Sequence, residues 1–117
     1  MKDFSNHFRE LVKRELGLDP RVLVPRGAHD MMILATWRLS RDLLRPNKRS
    51  RMIRIVISQE ALADYARCSD DLRLARDERF VAWFRQQLSA FDPNHDAPLG
   101  VEPPSVTWPL GTGVLNP

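Results

Sequence analysis

The sequence predicts a small α+β domain. The expected architecture is an antiparallel sheet of three or four strands, packed by an N-terminal helix and a long helix in the C-terminal half. Its order is helix, strand, strand (with a third short strand), helix, helix, strand. Three observations carry this. Phe4, Phe8, Leu11, Val12 and Leu16 recur at helical spacing; Met31–Ser40 and Arg51–Ser58 alternate with a period of two; Phe80, Phe84, Leu88 and Phe91 form a second helical stripe. A length of 117 residues suits one domain, which buries roughly 60–70% of the surface its unfolded chain exposes.

The elements follow in order. The first helix is expected over residues 4–16, with Arg9, Glu10, Lys13 and Arg14 on its wet face. Asp3 or Ser5 can cap its start, Gly17 can end it in the left-handed conformation, and Leu18 can fold back on the last turn. Pro20 and Pro25 bracket Arg21–Val24, a short strand confined to a sheet edge because proline lacks an amide donor. In the next strand Ile33, Ala35, Trp37 and Leu39 share the inner face, with Thr36, Arg38 and Ser40 outside. In its partner Ile53, Ile55 and Ile57 point inward, and Arg54 and Val56 outward. Pro46-Asn47 marks the turn of a hairpin with a long loop. Ser58 caps a short helix and Ser69 the long one, with Asp70 and Asp71 where the helix dipole favours acids. Arg73 and Asp77 fall on the long helix's apolar stripe, so its first two turns overhang the core or the helix bends near Asp77. The expected core is Phe4, Phe8, Leu11, Val12, Ile33, Trp37, Ile53, Ile55, Ile57, Phe80, Phe84 and Leu88. Residues 1–91 read as the domain. Residues 92–117 hold six of the nine prolines and three of the five glycines and read as an extended tail docked through Trp108, with one short edge strand at Val106–Trp108.

Composition narrows the functional classes. Cys68 is the single cysteine, which suits a reducing compartment. The stretch MKDFSNHFRELVK does not read as a leader, and the longest apolar block, Met31–Ala35, is far below the roughly 20 residues of a membrane span. A bacterial, cytoplasmic protein without a membrane segment is expected. The His29-Asp30 and His95-Asp96 pairs, with His7, lack the close ligand spacing of a zinc site. Cys68 is followed by Asp70 and Asp71, which disfavour a thiolate. The Gly111–Gly113 stretch lacks the preceding strand and following helix of a phosphate-binding loop. Asp77-Glu78, in a helix rich in arginine, reads as a pair of surface ion-pairing groups. No catalytic residue, metal ligand or cofactor is therefore assigned.

Charge is concentrated in one place. Residues 38–54 carry seven cations against Asp42, whereas the other hundred residues hold eleven cations and fourteen acids. Arginine outnumbers lysine fifteen to three, a bias that warns against reading every arginine as functional. The candidate binding residues are Arg38, Arg41, Leu43, Leu44, Arg45, Lys48, Arg49, Arg51 and Arg54. Arginine forks suit phosphates and carboxylates, and the Leu43-Leu44 pair demands burial against the core or a partner. A solvated loop, an acidic protein partner and a nucleic-acid backbone all fit this composition.

The order of elements is similar to that of a type II KH domain, and the first five resemble a double-stranded-RNA-binding domain. The residues depart from both. The KH clamp needs a GxxG turn where this chain reads ARCSDDLR, and the RNA module's lysine cluster is replaced by SQEALADYA. The stretch ILATWRLSRD…RMIRIVISQEALADYARCSDD resembles short uncharacterised proteins of GC-rich proteobacteria, which carry no assigned activity. The reading is a non-catalytic binding or regulatory module that presents its basic hairpin (38–54) to a protein partner; the alternative is nucleic-acid binding through the same loop. An open sheet edge can also pair with a second copy.

Overall fold

A computed structural model describes residues 4–25, 30–39, 48–94, 101 and 104–110. The fold is α+β: α1 (Ser5–Glu15), β1 (Leu18–Leu23), β2 (Met31–Arg38), β3 (Ile53–Ile57), α2 (Gln59–Ala66), α3 (Asp70–Ser89) and β4 (Val106–Leu110), with sheet order β1-β2-β3-β4. The first three strands form an antiparallel meander. The fourth corrects the all-antiparallel expectation, because β4 pairs parallel to β3 from Ile53↔Val106 to Ile57↔Leu110. The reason is topological. α2 and α3 form a crossover that carries the chain back to the end of the sheet where β3 began, and a strand entering there runs parallel.

One face of the sheet holds the core. Ile33 and Ala35 from β2, Ile53, Ile55 and Ile57 from β3, Val22 from β1 and Leu110 from β4 are buried against Phe8 and Val12 of α1, Ala61 and Tyr65 of α2, and Phe80 and Phe84 of α3. Burying each large apolar side chain contributes about 1.5–3 kcal/mol. Phe4, Leu11, Trp37 and Leu88 of the expected core are half-buried at its margin. Trp108 joins the same side, its ring centroid 6.5 Å from Trp83, 6.1 Å from Phe84 and 5.4 Å from Phe91.

The helix termini follow local chemistry. Ser58 Oγ accepts from Ala61 N at 3.2 Å, and Ser69 Oγ from Leu72 N at 3.3 Å, satisfying amides that no helical carbonyl reaches. Phe4 occupies the N-cap of α1 with no side-chain cap; Ser5 lies inside the helix and Asp3 outside the described residues. Gly17 does not end α1 in the left-handed conformation. Leu16 turns extended instead, and the use of Gly17 is steric, since a Cβ there would meet Trp37 Cδ1 at 3.3 Å. Leu18 does not fold back either: it opens β1 and is exposed. One residue later Asp19 takes φ 48°, where the β1–β2 register slips between Leu18↔Arg38 and Arg21↔Thr36. This is a bulge with a left-handed residue, a position aspartate tolerates better than most.

The first turns of α3 do overhang, leaving Leu72 and Leu74 exposed. They are tied down by polar bonds. Arg73 donates to the carbonyls of Tyr65 (3.3 Å) and Ala66 (3.1 Å) at the end of α2 and lies 5.5 Å over the Phe4 ring. Asp77, expected as an ion-pairing surface acid, does pair with His7 but is drawn inward. Tyr65 Oη donates to its Oδ1 at 2.8 Å, and His7 Nε2 lies 2.9 Å from Oδ2. Burial pushes the Tyr65 hydroxyl well above its ordinary range, and the bond to Asp77 adds to the shift. Both sheet edges contain a proline, Pro20 in β1 and Pro109 in β4, which blunts continuous pairing with another strand.

Candidate functional site

The neck of the basic hairpin extends the β2–β3 ladder. Leu39 N donates to Lys48 O at 2.9 Å, and Ser50 N to Trp37 O at 2.8 Å. Ser50 is buried and its Oγ accepts from Trp37 N at 3.1 Å, so a small hydroxyl fixes the register where the loop begins. Of the nine candidate residues, Arg41, Leu43, Leu44 and Arg45 lie outside the described residues. The other five separate into two groups.

Arg49 and Arg51 are committed to the fold. Arg49 sits opposite Arg38 in an antiparallel bridge, where like charges repel. Its guanidinium is drawn away across the sheet: Nε donates to Thr36 Oγ1 (3.2 Å), Nη1 to Asp19 Oδ2 (3.0 Å) and Nη2 to Asp19 O (2.7 Å). One side chain thus links the hairpin neck, β2 and the β1 bulge. Arg51 holds the tail, donating to Pro104 O at 3.2 Å and Asp92 O at 3.4 Å, with its guanidinium 5.3 Å from the Phe91 centroid.

Arg38, Lys48 and Arg54 are not absorbed in this way. Arg38 is exposed and Lys48 half-buried; among the described residues neither has an ion-pair partner. Both line a cleft of about 400 Å³ at the end of the sheet, together with Trp37, Gly17, Leu18 and Asn94. Arg54 lies on the opposite side of the sheet from the helices. Its Nε is buried and has no hydrogen-bond partner among the described residues, an unsatisfied donor of the kind that ordinarily costs about 1–3 kcal/mol.

That outer face is the part of the site the charge pattern missed. The register sets Leu23, Leu34, Arg54 and Thr107 in one row, and Met32, Val56 and Pro109 in the next. None of the apolar members belongs to the core cluster. Every described helix packs on the other face through its buried residues, so no described element covers this one. The strands contribute Arg21, Arg38 and Arg54 to it, and the one carboxylate in all four strands, Asp19, is paired with Arg49. The signal was present in the unbroken block Met31–Ala35: a strand with one solvated face alternates apolar with polar residues, and this one does not.

No protein-family model, curated protein or solved structure matches the chain.

Proposed function

We propose that this protein is a non-catalytic binding module that docks an acidic, partly apolar protein segment on the outer face of its sheet, beside the basic hairpin. The observation that carries the reading is the composition of that face. Leu23, Met32, Leu34 and Val56 supply apolar area outside the core, Arg21 and Arg54 supply positive charge, and no unpaired carboxylate of the strands opposes it. Uncovered apolar surface rimmed by charge is characteristic of interaction sites. Charge argues against a second copy on this face, since two such faces would set arginines against arginines. Two of the cations a phosphate backbone would use, Arg49 and Arg51, already have intramolecular partners.

Fluorescence anisotropy with a labelled peptide that interleaves leucine and glutamate tests the proposal, with a leucine–lysine peptide and DNA and RNA oligomers as comparisons. The acidic peptide binds, and Arg54→Glu or Leu34→Thr weakens it at least about tenfold, equivalent to about 1.4 kcal/mol. Equal binding of the lysine peptide overturns the proposal. So does oligonucleotide binding with a log–log salt slope near −3.5 to −4.5, the value for about five phosphate contacts, that both variants leave unchanged.

A further inference from the structure

The cleft at the hairpin neck lies at the end of the sheet and shares only Arg38 with the outer face. Its apolar wall is Trp37, held on one side by the Gly17 backbone, where a methyl group would already touch the indole, and on another by Phe91, whose ring meets it edge-on at 6.2 Å. The indole is thus fixed before any ligand arrives. Leu18, about half exposed, extends the apolar surface. Among the described residues, two cations complete the lining, Arg38 and Lys48, and none of the lining residues is a carboxylate. The acids adjacent in sequence are both engaged, Asp19 by Arg49 and Asp92 by the backbone and side-chain amides of Asn94 at 3.0 and 3.3 Å. A space of about 400 Å³ falls within the range of small-molecule sites.

We propose that this cleft binds a small molecule in which a phosphate group is joined to a planar ring, the chemistry of a nucleoside monophosphate. An arginine fork with a lysine point charge matches the charge of a phosphate monoester, about −1.5 to −2. An immobilised indole and a leucine side chain match the ring, and flat rings associate with aromatic walls. The Asn94 carbonyl oxygen, left over when its amide nitrogen bonds Asp92, is an acceptor for a ring substituent. The same chemistry occurs at the 5′-phosphorylated end of a nucleic-acid strand, and the experiment separates the two sources.

Calorimetry and the indole N–H resonances of the ¹⁵N-labelled protein, titrated with AMP, adenosine and inorganic phosphate, test the assignment. The chain has three tryptophans, and Trp37→Phe identifies the relevant resonance by its loss. AMP moves the Trp37 resonance and binds at least about tenfold tighter than either fragment, equivalent to about 1.4 kcal/mol. Arg38→Gln with Lys48→Gln removes that tenfold, while Arg67→Gln, at the C-cap of α2 and not among the residues that line the cleft, leaves it unchanged. A 5′-phosphorylated oligonucleotide that displaces AMP, where its dephosphorylated form does not, upholds the chemistry and assigns its source to a strand end. Phosphate binding as tightly as AMP overturns the proposal, as does a response of the Trp83 or Trp108 resonance alone, or no response to AMP. The docking proposal is tested at Arg54 and Leu34, neither of which lines the cleft, so failure here leaves that proposal standing, and the reverse holds.

Discussion

Replacing Tyr65 with phenylalanine removes one oxygen from a side chain that is 1% exposed. The ring remains, and with it the contacts to Phe4 and Phe8, whose centroids lie 4.9 and 5.1 Å away. What is lost is the bond to Asp77 Oδ1 at 2.8 Å. A hydrogen bond to a charged acceptor contributes about 1.5–3 kcal/mol. Because the Asp77 side chain keeps 13% of its exposure and its contact with His7, water can partly replace the phenol, which places the loss near about 1.5–2 kcal/mol. Urea unfolding followed by circular dichroism should show this, with the melting temperature lower by about 5–10 °C. The second readout is pH. Folding raises the Tyr65 pKa, so its stabilising contribution is complete below the unfolded value of about 10 and is lost as pH rises above it, by up to about 1.4 kcal/mol per pH unit. Tyr65 is the sole tyrosine, so tyrosinate absorbance follows it directly, and Tyr65→Phe flattens the alkaline limb. A variant within about 0.5 kcal/mol of wild type, with an unchanged alkaline slope, refutes the role given to this bond.

Three further outcomes are expected. Ser58→Ala and Ser69→Ala each cost about 1 kcal/mol in chemical denaturation, because each removes the acceptor for an otherwise unpaired helix amide. Asp19→Ala destabilises by about 1 kcal/mol more than Asp19→Gly: both lose the pair with Arg49, but alanine alone resists φ 48°; equal stabilities would sink the claim of a left-handed bulge. Phe84→Ala costs about 3–5 kcal/mol and withdraws the ring beneath Trp108, so hydrogen exchange should accelerate at β4 amides more than at those of β2.

Periodicity made most of the fold legible. The inward isoleucines of β3, the Phe8–Val12 and Phe80–Phe84 stripes and both serine caps were readable because each is a local pattern with a local cause. What was not readable depends on distance. The direction of β4 is set by a two-helix crossover, which alternation at Val106–Trp108 does not encode. Asp77 looked like a surface acid because its partners, Tyr65 and His7, are 12 and 70 residues away in sequence. Among the hairpin cations the sequence showed charge but not allegiance: Arg49 and Arg51 proved to be internal ties, whereas Arg38 and Lys48 line the cleft. Gly17 was rightly singled out, but for its backbone freedom rather than for the room it leaves Trp37.

The parallel attachment of β4 also bears on how the chain fares before it is whole. Until residues 106–110 are in place, β3 is the last strand of the sheet, and Ile53, Ile55 and Ile57 flank a row of unpaired backbone groups. Synthesis reaches that protecting strand only after both helices of the crossover. A nascent or proteolysed chain ending between α3 and β4 therefore presents an isoleucine-rich edge with no proline in it, a template for self-association. Pro109 then has a second consequence: the segment that closes this edge brings its own stop against further strand addition.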